Sequence, residues 1–206
     1  MHFTSQFGQD RWILDFHDYK KNGFFVEAGA CDGIELSNTL VLERDFGWNG
    51  ICCEPSKHYR EMLKVNRNCS IDFGCLHSDT GEIVSFCTAN EPTWGTMKIH
   101  AKSEPEREQN RISSDIYDVT TISLNDLLEK HNAPNKIDYI SLDTEGSELD
   151  IISTFDFEKY DVSAWTIEHN SEYRADGAEY LNKIVEIMKS NGYVHHKHHT
   201  DARFWR

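Results

Sequence analysis

Val26-Glu-Ala-Gly-Ala-Cys-Asp-Gly33 is the stretch on which the fold turns. The run Phe24-Phe-Val-Glu-Ala28 reads as a buried strand, and it passes straight into Gly29 and Gly33. Glycines at that point let the backbone approach a ligand and let a helix begin close by. A helix carrying Leu40, Val41 and Leu42 follows and is closed by Gly47, and Ile51-Cys-Cys-Glu54 is a second short strand stopped by Pro55. The next helix is expected over 57–66 and a third strand over 71–76. Strands alternating with amphipathic segments argue for an α/β fold, a mostly parallel sheet with helices on both faces.

Working outward, an opening helix is expected over 5–19, with Phe7, Ile13, Leu14 and Phe16 on one face and Gly23 after it. On the other side, a strand over 83–88 leads into a polar stretch over 90–118 with almost no apolar period. A loop of that length is uncommon in a compact domain unless it is a lid, a binding loop or disordered. Order resumes over 119–122, and Ser123 with Asp126 resembles a capping box that starts a helix to about His131. A strong strand over 137–142 ends in Asp143-Thr-Glu-Gly146, and another over 164–167 ends in Glu168-His-Asn170. A helix over 178–190 stops at Gly192, and strands over 193–198 and 202–205 close the chain.

The chain has 206 residues, enough for one well-cored domain over 1–206 and too few for two ordinary ones. Its length also suits a domain cut from a larger protein that builds the glycan it modifies. Lys and Arg number 21 against 35 Asp and Glu, a net charge of −14. A chain this acidic has no electrostatic reason to bind phosphate backbones or anionic membranes, so nucleic acid is not expected as a partner. No stretch approaches the roughly 20 apolar residues of a membrane span, and the N-terminus does not read as a signal peptide. The six cysteines form no C-x-x-C pair, and Cys52 and Cys53 are adjacent in an apolar run. Reduced thiols and a cytoplasmic location are the expectation.

The chemistry is expected at the carboxyl ends of the strands, where open parallel sheets bind ligands. Three strands end in acids there. The Gly29–Gly33 spacing is Gly-x-x-x-Gly rather than the Gly-x-Gly-x-x-Gly of dinucleotide folds, which disfavours a nicotinamide oxidoreductase. Acids on both sides repel a pyrophosphate and suit a ligand with a cationic end and hydroxyls, such as S-adenosylmethionine. Glu54 ends the next strand, where an acid accepts hydrogen bonds from both ribose hydroxyls. Asp143, Glu168 and His169 fall at the ends of expected neighbouring strands. They could bind a divalent metal, magnesium or manganese, or His169 could be a general base oriented by a carboxylate. Trp94, near the start of the polar stretch, could stack on the apolar face of a sugar. In the cluster His195, His196, His198 and His199, strand alternation sends His196 and His198 to one face and His195 to the other. These are read as solvated strand and turn histidines.

Ser5-Gln-Phe-Gly-Gln-Asp10, Phe25-Val-Glu-Ala-Gly-Ala-Cys-Asp-Gly33, Asp138-Tyr-Ile-Ser-Leu-Asp-Thr-Glu-Gly-Ser-Glu148 and the closing Gly192-Tyr193 together resemble the FkbM family of methyltransferases. The resemblance implies the class I, Rossmann-like fold, a seven-stranded sheet whose last strand is antiparallel, and S-adenosylmethionine as cofactor. It implies an O-methyltransferase acting on a hydroxyl of a sugar or glycan (a deoxysugar among them) or of a glycosylated natural product, and working with glycosyltransferases. By position, Glu27, Gly29 and Gly33 would line the methionine part, with Ser37 and Asn38 joining them. Glu54 would hold the ribose, and Ser78 of His77-Ser-Asp79 would lie by the adenine. Asp143 would sit close to the sulfonium and acceptor. Cys31 in the turn and Thr144, where many relatives carry an apolar residue, are departures that leave the resemblance intact. A non-catalytic cofactor- or glycan-binding module, and a methyltransferase acting on an amine or carboxylate, are the rival readings.

Overall fold

The computed structural model describes residues 1–112 and 115–206. Its main sheet has seven strands: β1 (Phe24–Ala28), β2 (Asn49–Cys53), β3 (Ser70–Asp72), β8 (Lys136–Leu142), β9 (Asp161–Glu168), β10 (Val194–His198) and β11 (Asp201–Trp205). Their order is β10-β11-β9-β8-β1-β2-β3. All run parallel except β11, which is antiparallel to both neighbours. Strand order reverses between β1 and β8, so the crevice above their carboxyl ends is where a ligand is expected.

Period-two alternation divides the sheet between two helical layers. Val26, Ile51, Ile140 and Trp165 pack with α5 (Leu124–Lys130), α6 (Glu148–Ser153) and α7 (Gly177–Ser190). Phe25, Cys52, Tyr139 and Ala164 pack on the other face with α1 (Gln9–Phe16), α2 (Leu40–Phe46) and α3 (Arg60–Asn66). Gly47, in the left-handed region at φ 68°, ends α2 as expected. Ser123 caps α5, its Oγ accepting from Asp126 N at 3.1 Å.

Three elements differ from the expectation. The opening helix begins only at Gln9, because Gly8 is left-handed and Ser5 is drawn into a bridge with Leu36 and hydrogen bonds with Asp10. The single strand over 71–76 is two strands broken at Phe73-Gly74, with Asp72 Oδ1 accepting from Gly74 N. After the break, β4 (Cys75–His77) leaves the main sheet for a second, four-stranded one with β5 (Ile83–Cys87), β6 (Thr96–Met97) and β7 (Ile116–Ser123), in the order β4-β7-β5-β6. The polar stretch is largely folded, into short turns at Pro92–Trp94 and Lys98–His100, strand β6 and helix α4 (Pro105–Ile112); Ser113 and Ser114 lie outside the described residues.

All six cysteines are free thiols. His195 stacks on Phe204 at 5.1 Å while His196 and His198 lie together on the opposite face, as alternation requires. Among the described residues no helix is long and apolar enough to cross a membrane.

Candidate active site

A cavity opens above the carboxyl ends of β1, β2, β8 and β9 and under the 92–112 segment. Its floor is the first half of the turn after β1, Gly29, Ala30 and Cys31, and Gly33 does not reach it. Gly29 has φ +80°, and a Cβ on it would lie 1.8 Å from the Asp143 carbonyl oxygen, so only glycine lets β1 and β8 close up here. Gly33, at φ +82°, packs on the side chains of Arg67 and Leu63 below the turn.

Glu27 lines this cavity but is 3% exposed, and its carboxylate serves the protein itself. It accepts from Asn38 N (2.5 Å), Thr39 Oγ1 (2.7 Å), Ser37 Oγ (3.0 Å) and the fully buried Arg67 guanidinium (2.9 Å). Ser37 Oγ in turn accepts from Leu40 N at 3.1 Å at the start of α2. Glu27 and Ser37 therefore shape the wall and hold Asn38 in place. Asn38 Nδ2 donates to Ser141 Oγ at 2.9 Å, which leaves Oδ1 buried with no hydrogen-bond partner among the described residues. An unsatisfied buried amide oxygen costs stability unless a ligand donor completes it, and the ammonium of a methionine moiety is such a donor.

Glu54 is buried with one oxygen accepting from Cys31 N (3.0 Å) and the other from Ser56 N (2.7 Å). A carboxylate has about four acceptor sites, so both oxygens keep capacity for ribose hydroxyls. Burial pushes its carboxyl up to about 7. Tyr59, Cys75, Leu76, Phe86 and Ser147 continue the wall beyond it, where a nucleobase would lie. Ser78 does not line the cavity: its Oγ turns to Asp79 (2.7 Å) and the His77 ring (3.1 Å). Where β4 swings away toward β7, the positions left facing the cavity are Cys75 and Leu76.

At the other end, the carboxylates of Asp143, Glu145 and Glu168 lie within 4.8 Å of one another. His169 is not among them. It follows Glu168 directly, so its side chain takes the opposite direction, buried, with Nδ1 accepting from Ser171 N at 3.0 Å. Burial, helped by the charge of Lys197, pulls its imidazole down to about 4, so it stays neutral there. Glu145, which the sequence places at the same strand end but which is not among the chosen three, takes its place through an unusual backbone: φ is +59° at Glu145 and +129° at Gly146. Its carboxylate pairs with Arg107 and, at 2.7 Å, with Arg111, both carried by α4. Glu104 also pairs with Arg107 (3.0 Å) and accepts from Asn170 Nδ2 (3.1 Å), tying α4 to the end of β9. Asn170, Glu104, Arg107 and Arg111 were thus missed by the sequence reading, though Asn170 stands beside two of its picks.

Burial, then the charge of Glu145, drives the Asp143 carboxyl well above the usual carboxylate range, and burial with Asp143 does the same to Glu168. Glu145 is pushed up to about 7, burial outweighing its two arginines. Carboxylates this close share protons rather than all ionising. Oxygen donors suit magnesium or manganese, but Glu145 is already taken by two guanidiniums and His169 faces away. The residues present do not fit the expected divalent ion.

Trp94 lines the cavity from its cover, its carbonyl accepting from Arg111 Nε at 2.9 Å and its ring 4.8 Å from the Arg107 guanidinium carbon. It is a fixed wall, in place of the loose loop that composition alone would allow.

The family signature described as the methyltransferase FkbM domain matches residues 27–194. No curated protein matches the chain. Among solved structures, a precorrin-6y C5,15-methyltransferase from Geobacter metallireducens is 11% identical with a TM-score of 0.50, covering 96% of this chain and 87% of its own. A human methyltransferase 10 domain containing protein (10%, TM-score 0.46, 100% and 84% covered) and a Pyrococcus furiosus methyltransferase (12%, 0.42, 95% and 80%) are also similar. At 11% identity the likeness to the Geobacter enzyme is one of fold.

Proposed function

The chain belongs to the FkbM family of S-adenosylmethionine-dependent methyltransferases, and from that premise we propose that it methylates a hydroxyl of a sugar, a glycan or a glycosylated natural product. The observation that carries this reading is the Asp143–Glu168 pair, the first half-buried and the second buried, lining the same cavity as Trp94, Glu54 and Asn38. A sugar hydroxyl is a weak acid that must lose its proton as it attacks, and a carboxylate held far above its ordinary pKa is a base strong enough to help.

Bound S-adenosylmethionine supplies an electrophilic methyl carbon on a positive sulfonium. Asn38 Oδ1 would receive the ammonium of the methionine part, and Glu54 the ribose hydroxyls. Asp143, Glu145, Glu168 and the adjoining Glu104 offer up to four negative charges against the two of Arg107 and Arg111, so a ligand cation helps balance the site. With that cation bound, the Asp143–Glu168 pair gives up its shared proton more readily and one carboxylate is free to take the acceptor's. Trp94 offers a flat face to the apolar side of the sugar ring and helps hold the hydroxyl at about 3–3.5 Å from its target. Such an activity would operate alongside the glycosyltransferases that build the acceptor.

An amine acceptor sheds its proton in water and needs no such base, so the two carboxylates favour the hydroxyl reading. The experiment is radiolabelled methyl transfer to panels of sugars and of amines, with Trp94→Ala beside the wild type. Incorporation into sugars, with the acceptor's KM raised more than cofactor affinity is disturbed in Trp94→Ala, supports the proposal. Incorporation only into amines refutes it, and cofactor binding without any transfer favours a non-catalytic module.

A further inference from the structure

Three side chains from separate parts of the chain, none of them lining the cavity, converge. They are His77 at the end of β4, His100 in the turn over Lys98–His100, and Asp150 on α6. Both His Nε2 atoms lie 3.6 Å from Asp150 Oδ2, and donor atoms of all three lie within 4.8 Å of one another. The two Nε2 atoms are buried and have no hydrogen-bond partner among the described residues. Two buried ring nitrogens without partners, both near one carboxylate oxygen but too far to bond it, are costly unless something lies between them.

We propose that His77, His100 and Asp150 form a binding site for a zinc-class divalent ion that fastens the cavity's cover to the body of the domain. The distances suit it. Metal–ligand bonds of about 2.0–2.1 Å at tetrahedral angles separate the donors by about 3.4 Å, close to the observed spacing. Two imidazoles and a carboxylate, with a position left for water, are the donor set zinc prefers and one that magnesium avoids. The tautomer is right at His77. Ser78 Oγ donates its proton to Asp79 Oδ2, so it can only accept from His77 Nδ1–H, which leaves the Nε2 lone pair facing the site. Ser78, expected by the adenine, would instead be the positioning residue of this second site.

The consequence follows from where the ligands sit. His77 and Asp150 belong to the sheet and helix framework, while His100 belongs to the segment that carries Trp94, Arg107 and Arg111. The Cβ of His100 also packs against Gly146, next to Glu145, so the ion would hold the cover down beside the carboxylate cluster. The role is structural and independent of the transferred methyl group.

The test uses the full chain, stripped with a chelator and titrated with zinc chloride against a competing chromophoric chelator. Cobalt(II) substitution reads the coordination number from its visible spectrum. Wild type is expected to bind one zinc tightly, to give the intense bands of a four-coordinate cobalt site, and to gain protection from proteolysis within 92–112. His100→Ala and Asp150→Asn are expected to weaken zinc at least about 100-fold, the upper end of what loss of a mere supporting partner costs. Asp150 is partly exposed, so its isosteric variant keeps the metal-free fold, checked by thermal unfolding. His196→Gln and Glu168→Gln, at the exposed histidine strand and the acidic cluster, are expected to leave the affinity unchanged. Zinc affinity that survives both ligand variants, or that falls only in His196→Gln or Glu168→Gln, overturns the site. Binding through His100 and Asp150 without protection of 92–112 overturns the fastening role. Failure of the methyl-transfer assay leaves each of these readouts standing.

Discussion

Glu27 gives its carboxylate to Asn38 N, Thr39, Ser37 and Arg67, whereas Glu54 spends one bond per oxygen and keeps the rest for a ligand. Both acids end or nearly end a strand, and the sequence distinguishes them poorly because the partners that absorb Glu27 lie 10 to 40 residues away. Arg67→Met strands a buried carboxylate, and a loss of about 3–5 kcal/mol is expected in denaturant unfolding. Glu54→Gln should weaken S-adenosylhomocysteine about 10- to 100-fold by calorimetry, the cost of charge-assisted bonds. His169 and Asp143 separate the two catalytic readings. Asp143→Asn is expected to lower turnover at least about 100-fold, while His169→Gln changes it less than about threefold. The reverse pattern in steady-state kinetics would return the base to the imidazole. Adjacency in sequence misled here, since neighbours at a strand end point in opposite directions.

Among elements, α4 is the one the sequence concealed. Its reading rested on apolar period, and Pro105–Ile112 has almost none. The buried side of the helix is written in charge instead: Glu104, just before it, then Arg107 and Arg111 follow helical spacing and are spent on Glu145 and on one another. The β1 turn was legible for the opposite reason, since Gly29 and Gly33 declare a backbone requirement locally. Gly29→Ala should cost more than the about 1–2 kcal/mol of the left-handed conformation alone, because the new methyl would also drive Asp143 and β8 away. Loss of homocysteine-compound binding should accompany the fall in Tm. The third strand's division at Gly74 was invisible because both halves are apolar enough to read as one.

At the scale of the molecule, the site is a reservoir of uncompensated negative charge in a chain of net charge −14. Glu54 and Glu145 titrate near about 7 in the fold against 4.5 when unfolded. The folded state therefore holds protons that the unfolded state releases, and these groups lower stability as pH rises from about 4.5 to about 7. Asp72, whose carboxyl is lowered by Lys130 and His131 against its own burial, acts in the opposite sense at more acid pH. The ligand-free Tm should fall between about pH 5 and 7, and a cationic ligand should flatten that slope; a flat ligand-free profile would contradict the charge assignment. The mostly parallel sheet with helices on both faces, and the acids at its strand ends, were legible because alternation and strand ends are local signals; the seven strands with an antiparallel last one came with the family resemblance, while the strand order, the cover and its ion pairs are long-range. The most direct test is thermal unfolding with S-adenosylhomocysteine and, separately, with NAD. At a hundred times its dissociation constant a ligand adds about 2.7 kcal/mol. A rise in Tm with the homocysteine compound, absent with NAD and diminished in Glu54→Gln, is the predicted result, and a rise with NAD alone or with neither ligand would contradict the account.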